Sequence, residues 1–191
     1  MIVMEGGDGA GKTTQARMLV ESLKAKCNPA VYLKWPDRET GTGKIINGWL
    51  TGAVKLPKEA TNLLFLANLW ELAETIEMER TQGRTVVVDR YAMSNIVYSM
   101  SFGCSRAEAE IPTLGLPQPD FVFLFDIDPS VCMSRKKEVA AVLEVTETME
   151  VQNKVRKLYL ALKKNNCYTI DANRPVDQIH QEVMEKLKDS Q

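Results

Sequence analysis

Apolar positions along the chain fall into two kinds of pattern. Five short runs, at 2–5, 30–35, 85–89, 121–126 and 167–171, are apolar almost throughout, as strands covered on both faces are. Longer stretches between them carry helical periodicity. Residues 12–26 set Ala16, Leu19, Val20 and Leu23 on one stripe, and 57–80 carry Leu63, Leu64, Leu66, Ala67 and Trp70. Further helices are predicted at 94–102, 129–137, 144–163 and 175–188. The alternation predicts a three-layer α/β/α domain around a five-stranded, mostly parallel sheet with helices on both faces. Parallel strands joined by right-handed crossovers gather their carboxyl ends along one edge, so residues just after the strands are expected to line the site.

Composition narrows the classes. With 191 residues, 45% of them hydrophobic and 26% charged, and with no linker, repeat or low-complexity stretch, residues 1–191 read as one globular domain. Lys plus Arg number 24 against 25 Asp plus Glu, so no general charge footprint points to nucleic acid or to a membrane surface, and neither partner is expected. Cys27, Cys104, Cys132 and Cys167 form no C-x-x-C pair and His180 is the one histidine, which leaves too little material for a zinc site or a His-based triad. The cysteines read as reduced, hence a cytoplasmic location, with nuclear or organellar presence open. No run approaches the ~20 apolar residues that span a bilayer. Met1-Ile2-Val3-Met4 leads straight into Glu5-Gly6-Gly7, so the fold is expected to start at residue 1.

The strongest chemical signal is Gly6-Gly7-Asp8-Gly9-Ala10-Gly11-Lys12-Thr13, a G-x-x-x-x-G-K-T loop between the first strand and the first helix. Such a loop folds its N–H groups around phosphate oxygens, its lysine reaches the β/γ-phosphates, and its Thr13 hydroxyl can ligate Mg²⁺. The fold class is therefore that of the P-loop NTPases. Val86-Val87-Val88-Asp89-Arg90-Tyr91 is an apolar strand ending in a carboxylate: Asp89 either orients Mg²⁺ or its waters, or caps the following helix. Arg90 and, after the second strand, Arg38 stand at the same expected edge, where a guanidinium fork suits phosphate and a surface ion pair is the alternative. Two arginines beside a P-loop suggest a second phosphate-bearing substrate, the requirement of a nucleotide kinase.

Together with Pro36-Asp37-Arg38, Leu63-Leu64-Phe65-Leu66-Ala67-Asn68-Leu69-Trp70-Glu71 and Gly115-Leu116-Pro117-Gln118-Pro119-Asp120, these motifs resemble the thymidylate kinases nearly end to end. The resemblance implies transfer of the ATP γ-phosphate to dTMP with Mg²⁺, by a homodimer packed through the helices of 57–80 and 94–102. It implies ATP binding by Gly9, Ala10, Gly11, Lys12, Thr13 and Thr14, with Asn173 in the loop along the adenine. It assigns Arg38 and Arg90 to the acceptor phosphate, Phe65 to stacking on the pyrimidine, and Asp8 to the sugar 3′-hydroxyl or the metal region. Asn95 is the amide that reads the pyrimidine edge, and Tyr98 the aromatic against the deoxyribose. Without the resemblance, Phe65 reads as core.

Two features depart from the family. Leu69 stands where an arginine usually donates to the thymine carbonyl, so either Asn95 replaces that donor or the acceptor is not dTMP. The P-loop holds Gly9 rather than a basic residue, so a lid around 134–148 should supply the catalytic cation, and Arg135 is the candidate; its alternative role is a solvated helix end. Kinases of other pyrimidine nucleotides and a catalytically weak nucleotide-binding homologue are the competing readings. A GTPase-like switch lacks its N-K-x-D motif.

Overall fold

The structure, a computed structural model, describes residues 1–138 and 144–188, with 135–138 as backbone only. Strands β1 (Ile2–Gly6), β2 (Ala30–Lys34), β3 (Thr85–Asp89), β4 (Phe121–Asp126) and β5 (Cys167–Asp171) form one sheet in the order β2-β3-β1-β4-β5, with every pairing parallel. β1 is central: Met4 lies opposite Asp89 of β3 on one side and Phe123 of β4 on the other. That register brings the ends of β1 and β3 together at one edge.

Period-two alternation divides the strand side chains between two cores. Ile2, Met4, Val87, Phe123 and Phe125 pack with Ala16, Leu19 and Val20 of α1 (Lys12–Ala25) and with Ile179, Val183 and Leu187 of the last helix. Val3, Val86, Val88 and Val122 face the opposite way, against Leu69, Leu72, Ala73 and Ile76 of a long helix at Lys58–Thr81. Each such fully buried side chain contributes about 1.5–3 kcal/mol relative to exposure. The expected three-layer fold is thus observed, with the strands close to their expected bounds.

The helices differ more. Between β2 and β3 stand α2 (Gly41–Leu50) and α3 (Lys58–Thr81), and α2 was not expected. In α3 the core-facing stripe is Leu69, Leu72, Ala73 and Ile76, while Leu63 and Trp70 are exposed. Strand β3 leads into α4 (Ala92–Ser101), followed by a short α5 (Arg106–Glu110) that closes in a capping box between Ser105 and Glu108. β4 precedes α6 (Pro129–Glu138), and α7 (Met149–Leu162) and α8 (Val176–Lys188) flank β5. Among the described residues, no helix is long and apolar enough to cross a membrane.

Candidate active site

The loop after β1 needs its glycines for two different reasons. A Cβ on Gly6, at φ 140°, would lie 2.5 Å from the Phe125 carbonyl oxygen, and Gly9 and Gly11 hold φ 80° and 87°. Helices α2, α5 and α7 are capped by the side chains of Thr40, Ser105 and Thr148. Helix α1, whose N-cap is Gly11, has no side-chain cap. Its first N–H groups and dipole are left to an anion. Lys12 donates from Nζ to the Gly7 carbonyl at 2.6 Å, and Thr13 donates from Oγ1 to Asp89 Oδ2 at 2.5 Å. Asp89 also accepts from the Tyr32 hydroxyl at 3.2 Å, so it is a partner of the P-loop rather than a helix cap. A hydroxyl and a carboxylate in contact are hard oxygen donors of the kind that would hold Mg²⁺ here, directly or through water.

Burial, and then the charge of Arg90, pull the Lys12 ammonium down to about 8, with Asp89, Asp8 and Glu5 pulling the other way. A bound triphosphate adds negative charge and favours the protonated form. In the free protein Lys12 loses its proton as pH rises through about 8, so ATP binding at that pH should take up about half a proton, and affinity should fall as pH rises further. Calorimetry in buffers of different ionisation enthalpy checks this; the uptake should vanish in Lys12→Ala.

Arg90 sits at φ 69°, a left-handed conformation costing a non-glycine residue roughly 1–2 kcal/mol, and its peptide N–H is anchored on the Met4 carbonyl at 2.9 Å. Its guanidinium is buried. One nitrogen donates to the Gly6 carbonyl at 2.8 Å, and the other pairs with Asp8. The second Asp8 oxygen accepts from the Tyr98 hydroxyl and from Gln152 Nε2, each at 2.8 Å, while the Asp8 N–H donates to Gln152 Oε1 at 3.1 Å. Tyr98 also carries the Arg90 guanidinium over its ring, 5.4 Å from the centroid. Gln152, from α7, therefore clamps the P-loop from outside.

On the other side of the cleft, Arg38 follows a cis Trp35-Pro36 bond. The turn is tied down by Asn68, which accepts from the Asp37 N–H at 3.0 Å and donates to the Asp37 carbonyl at 3.0 Å. Arg38 donates to Asn47 Oδ1 at 3.0 Å and pairs with Glu144 at 2.7 Å, and its buried Nε has no partner among the described residues. An anion entering here meets a guanidinium already held by a carboxylate. Beyond it the wall turns aromatic: Phe65 meets Trp35 and Trp49 edge-on at 5.6 and 5.7 Å, and Trp49 meets Phe102 at 5.9 Å.

These walls enclose a cleft of about 280 Å³ lined by Asp8, Gly9, Lys12, Thr13, Arg38, Phe65, Asp89, Arg90, Asn95 and Tyr98, together with Thr61, Asn62, Ser99 and Glu144. Thr61, Asn62, Asn95 and Ser99 line the cleft together with the aromatic rings, and the Asn95 Oδ1 is buried without a partner among the described residues. Leu69 does not line the cleft. It is fully buried in the core beneath Trp35 and Tyr91, so the position is an inward packing one.

Ten of the expected site residues thus converge. Ala10, Gly11 and Thr14 belong to the loop and the first turn of α1 but not to the cleft wall, and Asn173 lies on the exposed turn after β5, its N–H bonded to Asp171. The side chain of Arg135 and residues 139–143 of the expected lid lie outside the described residues. Sequence reasoning missed Glu5, Asn68, Gln152 and Tyr159, which carry the polar network behind the cleft. Their signal was polarity inside an otherwise apolar element: Glu5 closes a buried strand, and Asn68 interrupts an apolar run.

A P-loop, a carboxylate-ended neighbouring strand and two arginines around one cleft define a phosphotransferase of the nucleotide kinase class. Comparison with known proteins agrees: the family model for thymidylate kinase matches residues 4–183. The chain is 34% identical to the thymidylate kinase of Schizosaccharomyces pombe over 97% of its own length and 90% of that protein's. It is 33% identical to that of Danio rerio, covering 96% and 87%. A solved structure of the Candida albicans thymidylate kinase superposes with a TM-score of 0.85 at 29% identity, covering 99% of this chain and 91% of that one. The chain belongs to the thymidylate kinase family.

Proposed function

We propose that this protein transfers the γ-phosphoryl group of ATP to dTMP, giving dTDP and ADP. The observation that carries the reading is the single cleft that brings a phosphate-binding loop, Arg38 and Arg90 together with an aromatic wall. Lys12 and the amides of Gly9, Ala10, Gly11, Thr13 and Thr14 hold the donor, with Asn173 in the loop beside the adenine and Arg135 as the lid cation. Mg²⁺, held through Thr13 and Asp89, supplies charge neutralisation across the phosphates when bound. Arg38 and Arg90 align the acceptor phosphate for in-line attack, which lowers the barrier by fixing orientation. Phe65 offers its face to the base, Asp8 and Tyr98 engage the deoxyribose, and Asn95 Oδ1 accepts from a ring N–H, satisfying its otherwise unpartnered oxygen. Water must be excluded from the closed site, or ATP hydrolyses.

One observation favours a second acceptor of the same class. The cleft offers the neutral side chains of Thr61, Asn62, Asn95 and Ser99, whose amides and hydroxyls can donate to or accept from more than one pyrimidine. The Candida albicans enzyme is described as having broad substrate specificity. The test is ADP formation from Mg·ATP with dTMP, dUMP, UMP, dCMP and dGMP as separate acceptors. Turnover highest with dTMP supports the reading; turnover highest with another acceptor keeps the kinase and overturns its substrate, and ATP binding without acceptor-dependent turnover favours a non-catalytic homologue.

We further propose a homodimer. Leu63, Trp70 and Met78 are exposed apolar residues of α3, one of the two helices through which the resemblance implies the dimer packs. A cytoplasmic location is the accompanying proposal, supported by four cysteines that form no disulfide among the described residues.

A further inference from the structure

The carboxylate of Glu5 is fully buried behind the cleft, and no step of the proposed reaction uses it. Its Oε1 accepts from the Tyr91 N–H at 3.0 Å and the Ser94 N–H at 3.1 Å, which are the N-cap and third positions of α4. Helix α4 has no side-chain cap of its own, so β1 supplies one from across the sheet. Its Oε2 faces two hydroxyls, Ser94 and Tyr159 of α7. Those hydroxyls also touch each other at 2.6 Å. Each hydroxyl carries one proton; with those protons in the two shorter contacts, Tyr159 donates to Ser94 and Ser94 donates to Glu5, and the Tyr159 hydroxyl stands 3.2 Å from Glu5 Oε2 as the longer contact. Both hydroxyl oxygens then have lone pairs turned to Arg90, whose NH1 lies 3.4 Å from each and 2.8 Å from the Gly6 carbonyl.

We propose that Glu5 is a positioning residue for phosphoryl transfer, a buried anion that sets the direction of the Tyr159–Ser94 proton chain so that both oxygens face the Arg90 guanidinium and hold its fork toward the cleft. Burial raises the Glu5 carboxyl, while the donors from Ser94 and the charge of Arg90 act to keep it ionised. The inference rests on the reading of Arg90 as the acceptor-phosphate clamp. An amide at position 5 keeps the Oε1 acceptor for α4 but presents an N–H₂ to Ser94. The chain then reverses, and the Tyr159 proton points at a guanidinium that can only donate.

The experiment is steady-state kinetics of Glu5→Gln with dTMP and ATP varied separately, repeated in an Arg90→Lys background, whose point charge has no fork to orient. The expected result is a roughly tenfold fall in kcat/KM for dTMP, a twofold or smaller change in KM for ATP, a melting temperature close to that of the parent, and less than threefold further loss in the Arg90→Lys background. Equal losses in both backgrounds, matched rises in both KM values, or a lowered melting temperature with unchanged kinetics would overturn the proposal and leave Glu5 a helix anchor. If Arg90→Lys alone leaves dTMP kinetics untouched, the reading of Arg90 fails and the role of Glu5 falls with it. Tyr159→Phe, which deletes the outer hydroxyl without touching the α4 cap, should reproduce a smaller version of the same dTMP-specific loss; no loss counts against the chain.

Discussion

Replacing Arg90 by alanine is expected to lower kcat/KM for dTMP by about a thousandfold or more, the range that loss of a transition-state arginine produces. The site gives two reasons for so large an effect. The guanidinium lines the cleft beside the P-loop, where charge on the transferring group must be balanced, and the two cations nearest in role are already engaged: Lys12 is tied to Gly7 and Arg38 to Glu144. Removing Arg90 also takes away the ion pair of Asp8 and the cation whose charge acts on buried Glu5. Breaking a buried pair from one side costs about 3–5 kcal/mol of stability, so the variant should melt measurably lower. ATP affinity, measured on the folded variant at low temperature, should fall far less than acceptor turnover. Comparable losses of both would mean that Arg90 serves the donor site.

The second large effect lies where no charged group is touched. Gly43, in the first turn of α2, approaches the acceptor turn so closely that a Cβ there would lie 1.8 Å from the Asp37 carbonyl oxygen and 2.8 Å from the Arg38 Cα. Both are backbone atoms, so no side-chain rotation relieves the overlap; α2 and the 37–38 turn must separate. Thr40 and Asn68 hold that turn through bonds to Gly43 N–H and to Asp37, and these must lengthen together. Gly43→Ala should therefore displace Arg38 by around an ångström, at a cost on the order of a hundredfold in kcat/KM for dTMP, and destabilise the protein by about 1–3 kcal/mol through overpacking. KM for ATP should stay near its parent value, because α1 and the P-loop lie on another element. Unchanged acceptor kinetics in a folded Gly43→Ala protein would show that the position of Arg38 does not matter.

Gly43 also explains why one helix escaped sequence reading. Gly41, Gly43 and Gly48 argue against a helix on propensity, yet Gly43 is required by the turn beneath it and a Cβ on Gly48 would meet Val54 at 2.7 Å. Tertiary contact overrode local preference, and the legible clue was Thr40, which caps the helix by accepting from Gly43. The strands were readable because burial on both faces leaves an unbroken apolar run, and the P-loop because its glycines and lysine stand at fixed spacing. Helix α3 misled in a different way: its apolar residues encircle it, so periodicity alone could not separate the core stripe of Leu69, Leu72 and Ile76 from the exposed Leu63 and Trp70. Leu69 belongs to that core stripe, so its side chain packs inward and does not line the cleft. Gln152 and Glu5 were visible as residues but not as partners, since hydrogen bonds from α7 to Asp8 and from α4 to β1 join segments that lie far apart in the chain.

The central place of β1 has a consequence for how the protein comes into being. The strand that carries the P-loop is made before both of its neighbours, β3 and β4, with Ile2 paired to Val87 on one side and Phe121 on the other. During synthesis the chain must expose an apolar strand and an unformed nucleotide loop until β4 has left the ribosome, and contacts of such sequence separation are slow to close. A nascent chain halted before β4 has every residue of the P-loop and only one of the two strands that hold it in place.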